Sequence, residues 1–255
     1  LSARLDELDL DPSAIEKTNT ARVRMAGRLE IDAVKGGLRY AEIGFRGPAR
    51  VKLFDPVSGD LDPDLRGDFE LSRESYLNAR IPAVQQAWKT LQKLDAIGLE
   101  IGELPERATF GRSGAVAVHY QNERFTLGRP ISVWFRDWEI AILEGTWIQS
   151  EKETHQGEAE ILAEEELSTK LRNQIGNGVD YLPRELRPIL VEEVEATWFR
   201  DGRLVAEIKS KGELSSPSVS LRNKFPDVKA IVRKAGEKLL EGGAGDLLRK
   251  LLGAE

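Results

Sequence analysis

Two similar seven-residue stretches constrain the fold of this chain more than any other feature. ATFGRSG occupies 108–114 and ATWFRDG occupies 196–202, a separation of 88 positions (196 − 108). A second pair, GDFELSRESYL at 67–77 and GEAEILAEEEL at 157–167, is offset by 90. Two pairs of similar segments with nearly the same offset indicate that a unit of the sequence is duplicated. We therefore predict two strand–helix–hairpin units of roughly 90 residues, with chance similarity as the alternative because few positions are identical.

Each seven-residue stretch predicts a β-hairpin. Ser113-Gly114 and Asp201-Gly202 are dipeptides that accept positive φ and suit tight turns. Apolar residues alternate after both turns with the same parity, and a slip of one residue would reverse the faces. We therefore expect one inward face in both copies, lining an apolar groove. Its predicted residues are Phe110, Val116, Val118, Trp198 and Leu204, together with Trp88 from a neighbouring helix.

Strands and helices alternate around these hairpins. Partial apolar–polar alternation over 21–54 and 129–149 predicts a broad antiparallel sheet. Ser72 predicts a helix start, Pro82 a restart or kink, and apolar residues at helical spacing follow to position 94. A shorter helical stripe spans 167–175, and the two prolines in 181–190 predict a loop or short turns. The fold class is therefore α+β, with two duplicated units of curved antiparallel sheet each packed on a helix.

The C-terminal segment predicts an amphipathic helix. We place the first repeat unit at 1–130, the second at 131–221 and this tail at 222–255. Basic residues occupy much of its polar side: Lys229, Arg233, Lys234 and Lys238. The tail packs on the sheet in one interpretation. In the other it contacts an anionic membrane surface or another envelope protein.

Composition narrows the function classes. The net charge of −6 argues against a nucleic-acid partner. The absence of cysteine removes disulfides, thiol catalysis and cysteine-ligated zinc, which is compatible with a bacterial envelope protein. The chain begins with Leu1 rather than Met. We therefore expect that an upstream segment, such as a signal peptide or membrane anchor, has been removed.

The search for a catalytic or metal-binding constellation predicts none. His119 and His155 are far apart in the sequence, and each is predicted to be a surface residue. The spacing of Asp60, Asp62 and Asp64 resembles a calcium loop, but Leu65 and Leu71 stand where an EF-hand needs Gly and Glu. A plain acidic turn is favoured over calcium. We expect no catalytic residues, metal or cofactor, and keep an enzyme as a third hypothesis.

The tryptophans have two interpretations. A large aromatic side chain is usually core, where its burial contributes about 2–3 kcal/mol. Some of the five tryptophans would instead line an apolar groove. The sequence leaves both interpretations open.

The second predicted unit resembles bacterial tubular lipid-binding (TULIP-like) proteins and the related AsmA-type envelope proteins. A helix start, a proline-containing loop and a D-G-R-L-V hairpin carry the resemblance, which covers 160–221 well and 67–135 weakly. Its residues are Glu166, Leu167, Leu171, Pro183, Asp201, Gly202, Arg203, Leu204 and Val205. The resemblance implies a curved sheet around a long helix, enclosing an apolar groove that holds lipid.

These observations favour a non-enzymatic envelope protein, located in the periplasm, that binds or transfers lipid or another apolar ligand. The doubled hairpin with apolar parity, the tryptophans and the lack of a catalytic motif motivate this hypothesis. The alternative is a structural or assembly module that binds another envelope protein through its sheet edges or its tail.

Overall fold

The computed structural model describes residues 2–10, 20–32, 38–97, 99–110, 114–175 and 187–225. The chain divides into two compact units. Unit 1 contains residues 1–90, 103–163 and 206–222, and unit 2 contains residues 91–102, 164–205 and 223–255. The predicted boundary at residue 130 falls inside unit 1. The predicted tail helix and its lysines and arginine lie outside the described residues from position 226 onward.

Unit 1 is built mainly from antiparallel strands. The strands are β1 (Ser2–Leu10), β2 (Thr20–Asp32), β3 (Arg39–Phe54), β4 (Leu61–Leu71), β5 (Tyr76–Asn78), β6 (Arg107–Thr109), β7 (Ala115–Gln121), β8 (Arg124–Leu127), β9 (Ile131–Phe135), β10 (Trp138–Ile142), β11 (Trp147–Gln149), β12 (Thr154–Ala163) and β15 (Pro217–Leu221). The first helix, α1 (Pro82–Leu91), also belongs to it, apart from its last residue. The prediction of an α+β fold with a broad antiparallel sheet is confirmed at this level.

Several short strands are segments of longer, interrupted strands. β4 and β5 both pair with β3, while β7 and β6 pair with β4 and β5 respectively. β8 and β9 pair with β11 and β10, which both pair with β12. The interruptions between β4 and β5, β6 and β7, β8 and β9, and β10 and β11 therefore lie side by side on adjacent strands. We call the line that joins them the break line. Backbone hydrogen bonds extend the strand pairing up to this line, from Leu71 N to Gly114 O, from Gly128 N to Ala117 O and from Gly145 N to Leu127 O.

The two faces of the sheet differ in polarity because side chains alternate along each strand. In β2 the odd positions are apolar, as at Val23, Met25 and Leu29, whereas Arg22, Arg24 and Arg28 occupy even positions. The pairing between β2 and β3 joins odd positions to odd positions, for example Leu29 to Ile43. Unit 1 therefore has an apolar face and a charged face.

Helix α1 covers the apolar face on one side of the break line. The ring of Trp88 lies 4.9 Å from that of Trp138 in an edge-to-face arrangement. Val133, Phe135 and Ile161 on the sheet are almost fully buried. The predicted helical stripe is confirmed, since Ala87, Trp88, Leu91 and Leu94 are all buried.

The predicted start of that helix at Ser72 is wrong. Residues Tyr76–Asn78 form β5, and the helix begins at Pro82. Proline fits the first turn because its missing N–H has no intrahelical partner there. Ser72 instead donates its N–H to Gly44 O at 2.8 Å, so it belongs to the sheet.

Unit 2 contains a 3-10 helix (Gln92–Ile97) and the other two α-helices of the described residues, α2 (Glu165–Gln174) and α3 (Arg187–Trp198). A two-residue strand, β13 (Phe199–Arg200), follows α3 and pairs with the start of β14 (Arg203–Glu213), which continues into unit 1. Apolar residues from both helices and from β14 form the core. Its fully buried members are Leu171, Leu190, Val194, Trp198 and Leu204.

The two seven-residue stretches adopt different structures. Asp201 and Gly202 have φ values of 52° and 81° in the turn between β13 and β14, so the hairpin predicted there is confirmed. Its first strand is shorter than predicted because residues 196–198 end α3. The hairpin predicted at 108–114 is wrong, because β6 and β7 pair with β5 and β4 and not with each other.

The loop predicted at 181–190 is also wrong over its last part. Residues 187–190 form the first turn of α3, with Pro188 where a proline is tolerated. Residues 181–186 lie outside the described part of the chain. The duplication of whole units and the curvature of the sheet stay predictions.

Candidate functional site

The apolar face continues beyond the break line, away from α1, as a surface that is only partly buried. We call this part, formed by β1–β4, β7, β8 and β11, the apolar strip. Leu5 and Leu8 of β1 are 47% and 53% exposed, and Phe125 of β8 is 38% exposed. Met25, Phe45 and other apolar residues of the inner strands are half-buried. A contiguous apolar surface of this kind on a folded unit commonly marks a ligand or partner site.

Register explains why these residues form one continuous strip. Leu8 lies opposite Met25, and Gly27 lies opposite both Leu5 and Phe45. Farther along the sheet, Tyr120 lies opposite both Leu65 and Phe125. At each of these pairings the residues that face each other are uncharged. The strip therefore continues from one strand to the next without interruption by a charged side chain.

Aromatic rings packed over glycines form part of the strip. A Cβ placed on Gly27 would lie 2.8 Å from Cζ of Phe45, and a Cβ on Gly67 would overlap the ring of Phe69. The two rings meet edge to face with their centroids 5.2 Å apart. Glycine is required at both positions because any side chain would displace the ring above it.

The apolar surface extends to the turn between β3 and β4. Leu53 and Phe54 are each half exposed, Leu61 is 72% exposed and Val57 at the turn is 93% exposed. Asp55 holds this turn, since its Oδ1 accepts hydrogen bonds from the N–H groups of Ser58 and Val57 at 2.8 and 2.9 Å. These hydrogen bonds lower the pKa of Asp55 because they favour its charged form. Leu53, at an odd position two residues after Val51, thus continues the strip toward an ordered turn that also exposes Val57.

The six groove residues predicted from the sequence do not form one group. Val118 is half-buried and lies on the strip, and Val116 is buried two residues earlier on the same strand. Phe110 and Trp88 are buried in unit 1, whereas Trp198 and Leu204 are fully buried in unit 2. The surface of these four side chains is already covered by protein. We therefore place them in the packing of each unit and not in the ligand site.

The core interpretation of the tryptophans thus fits three of them. Trp88, Trp138 and Trp198 are buried, while Trp134 and Trp147 are half-buried. Trp198 satisfies its polar atom within unit 2, because Nε1 donates to Lys224 O at 3.2 Å. Its ring also packs on Phe225, with centroids 5.5 Å apart.

Sequence reasoning missed Leu8, Met25 and Phe45, although the alternation in β2 and β3 was visible. The alternation of odd and even positions assigns such residues to one face of the sheet. It does not show whether another part of the protein packs on that face. One sequence signal could have drawn attention to them. Apolar residues occupy successive odd positions of β2 and β3, and no adjacent segment of the sequence predicts a helix that would cover them.

His155 was predicted to be a surface residue, and this is wrong. It lies in β12 opposite Ile148 and is 9% exposed. Its Nδ1 lies 2.9 Å from Gly212 O and its Nε2 lies 2.7 Å from Ser210 Oγ. Burial lowers the pKa of His155, because the charged imidazolium loses hydration.

The other titratable groups singled out in the sequence lie on the charged face. His119 is partly exposed, and its Nε2 lies 3.0 Å from Asp64 Oδ1. Lys52 donates to Asp62 at 2.7 Å, and this hydrogen bond raises the pKa of Lys52. The described residues contain no group of three or more His, Asp or Glu side chains placed to hold a metal ion.

The apolar strip is thus the strongest candidate site in the part of the chain that the structure describes. No helix among these residues is both long enough and apolar enough to cross a bilayer. Comparison of the chain with protein-family models, with curated proteins and with solved structures found no match in any of the three.

Proposed function

We propose that this chain is a non-enzymatic bacterial envelope protein that binds or transfers lipid, or another elongated apolar ligand, on the apolar strip of unit 1. The observation that carries the proposal is the partial exposure of the strip. Leu5, Leu8 and Phe125 are more than a third exposed on a face that is buried on the other side of the break line. The resemblance to tubular lipid-binding proteins points to the same class of ligand.

The physical argument starts from how sheets are stabilised. A sheet with one apolar face normally packs that face against a second layer. Trp88 of α1 provides such a layer near Trp138, whereas the strip is left partly exposed to water. A bound apolar ligand would supply the missing layer.

The dimensions of the strip suit an extended ligand. β2 has 13 residues, which corresponds to a length of about 43 Å at about 3.3 Å per residue. Strands lie about 4.8 Å apart, so a ligand lying along one strand would contact side chains of its neighbours as well. Alkyl chains fit such a surface because they need no hydrogen-bonding partners.

The energetics require the ligand to cover several side chains. Burying apolar surface contributes about 25 cal/mol per Å². Association costs about 4–15 kcal/mol in lost freedom, so several hundred Å² must be buried on both partners before binding is favourable. The partly exposed residues of the seven strands that form the strip provide a surface on which this is feasible. The exposed turn at Val57 gives the strip an apolar end through which a ligand could exchange.

Binding is tested on the purified chain of residues 1–255. Native mass spectrometry before and after solvent extraction should detect a co-purifying apolar ligand. The extracted protein should then bind a fluorescent fatty acid saturably. Absence of both a co-purifying ligand and saturable binding would contradict the proposal.

A specific observation also favours the second candidate, an assembly module. Among the described residues, β1 pairs only with β2, and β15 pairs only with β14. Each therefore presents one outer edge to which a strand of another protein could add. Cross-linking in cells from introduced cysteines on β1 and β15 tests this. Labelling of a partner from either edge supports assembly, and labelling from neither argues against it.

A further inference from the structure

We propose that the charged face of unit 1 carries a second binding site, for a ligand with two or more linked phosphate groups, formed around Arg22, Arg50 and Arg66. The site is independent of the apolar strip and of the function proposed for it. Two observations support it: a cross-strand row of arginines and a cavity at the same place.

The row follows from strand register. Arg22 of β2 lies opposite Arg50 of β3, Arg50 lies opposite Arg66 of β4, and Arg66 lies opposite His119 of β7. All three arginines are exposed. Adjacent strands are about 4.8 Å apart, and like charges directly opposite each other destabilise a sheet.

Other rows of the same face contain opposite charges. Arg46 lies opposite Glu70, and Lys52 lies opposite Asp64. One like-charged pair, Glu30 and Glu42, has an arginine between its members: Arg39 lies 2.9 Å from Glu30 and 3.5 Å from Glu42. The sheet thus compensates a like-charged pair with a bridging group of opposite sign. A polyanion lying across the arginine row would add further opposite charge there, beside the carboxylate of Asp64 that lies 3.5 Å from Arg66.

The cavity lies over this row. It is a depression open to solvent, with a volume of about 640 Å³. Its charged lining consists of Arg22, Arg50, Arg66 and Asp68, which gives a net charge of +2 (3 − 1) with His119 neutral. The whole chain, in contrast, carries −6. Gly128 also lines it, and a Cβ there would lie 3.2 Å from Cβ of Ala117, another lining residue.

The chemistry of the lining selects phosphate. The planar guanidinium group binds phosphate oxygens through two parallel hydrogen bonds. Three guanidinium groups on successive strands match a chain of linked phosphates better than a single anion. The acidic neighbours are partly engaged, since Asp68 lies 3.6 Å from Arg129, and Asp64 lies 3.5 Å from Arg66 and 3.0 Å from His119. The phosphates could belong to a soluble oligophosphate or to a lipid headgroup.

The experiment measures binding of tripolyphosphate and of orthophosphate by calorimetry to the full chain. Wild-type protein should bind tripolyphosphate at least tenfold more tightly than orthophosphate. Arg50→Gln should weaken tripolyphosphate binding at least tenfold, because Arg50 is the central member of the row. Arg28→Gln is the matched control: it makes the same charge change on the charged face of β2, but Arg28 pairs with Glu42 at 2.9 Å and lies outside the cavity lining. Its affinity should stay within twofold of wild type.

Thermal unfolding without ligand provides a second measurement. Arg50→Gln should leave the midpoint unchanged or raise it, because it removes a repulsive pair, so loss of binding would not be explained by unfolding. Equal affinity for the two phosphates, or equal losses in both variants, would overturn the proposal. A third arm uses vesicles carrying a bisphosphorylated headgroup. Vesicle binding that Arg50→Gln removes identifies a lipid source, while tripolyphosphate binding without vesicle binding identifies a soluble one.

Discussion

Replacing Met25 with glutamate tests the apolar strip most directly. Met25 is half-buried in the middle of β2, opposite Leu8 and Gly47. Ala26→Glu is the matched control, because it makes the same change of charge one residue later, on the opposite face and between Arg46 of β3 and Glu7 of β1. The two variants therefore differ mainly in which face receives the carboxylate.

The magnitude follows from burial. Full burial of a Met side chain contributes about 1.5–3 kcal/mol. Because Met25 is already partly buried, we assign about 1 kcal/mol to the surface that a ligand would cover. A polar group left without a partner beneath the ligand adds a cost of about 1–3 kcal/mol. The sum of at least about 2 kcal/mol corresponds to a dissociation constant raised about 30-fold or more.

The assay is titration of solvent-extracted protein with a fluorescent fatty acid, with thermal unfolding to check that both variants fold. We expect Met25→Glu to bind at least about 30-fold more weakly and Ala26→Glu to bind like wild type. Equal affinity in all three proteins, or an equal loss in both variants, would show that the ligand does not lie on this face.

Three further predictions concern stability. Trp198→Ala should lower the free energy of unfolding of unit 2 by about 3–5 kcal/mol in urea denaturation, because Trp198 is fully buried; a loss below about 1 kcal/mol would contradict its core role. Because burial lowers the pKa of His155, the unfolded chain binds a proton near pH 6.5 while the folded chain does not, so stability should be constant above that pH and fall as the pH drops below it. His155→Gln should flatten this dependence, and an unchanged pH profile would refute the assignment. Gly157→Ala should destabilise unit 1 by about 1–3 kcal/mol, since its Cβ would lie 2.5 Å from Thr146 Cγ2, and Thr146→Ala should restore part of the loss; a melting temperature unaffected by Gly157→Ala would argue against the close contact.

Local chemistry made part of the fold predictable from the sequence. The helical stripe containing Ala87 and Trp88 requires only a period of 3.6 residues, and the hairpin at Asp201-Gly202 requires only two residues that accept positive φ. Both predictions depend on neighbours in the sequence, and both are confirmed. The alternation in β2 likewise assigns its two faces without knowledge of partner strands.

Features that depend on pairing between distant residues were not predictable in this way. Gly114 looked like a hairpin residue, but the partners of the flanking strands, such as Phe69 opposite Val116, determine that β6 and β7 do not pair with each other. Trp198 has a sequence context like that of Phe110, yet it ends a helix in unit 2. Tertiary context overrides local similarity at these positions.

The same reasoning explains the candidate sites. Arg22, Arg50 and Arg66 are separated by 28 and 16 positions in the chain, and only strand register places them in one row. No local motif marks them, because each is a single arginine in an alternating strand. The exposure of Met25 and Leu8 likewise does not follow from parity, because parity assigns a residue to a face without showing whether that face is covered.

The break line also affects how this sheet tolerates change over evolutionary time. Residues such as Phe135 and Ile161 on the covered side must remain complementary to other core side chains, whereas those on the strip have only to remain apolar. In a continuous strand, an insertion or deletion of one residue would reverse the face on which every later side chain lies. Because the strands are interrupted between these regions, such a change within a gap need not alter the faces of the segments on either side. A lineage of such proteins could therefore alter the width and depth of its exposed surface while inheriting an unchanged core.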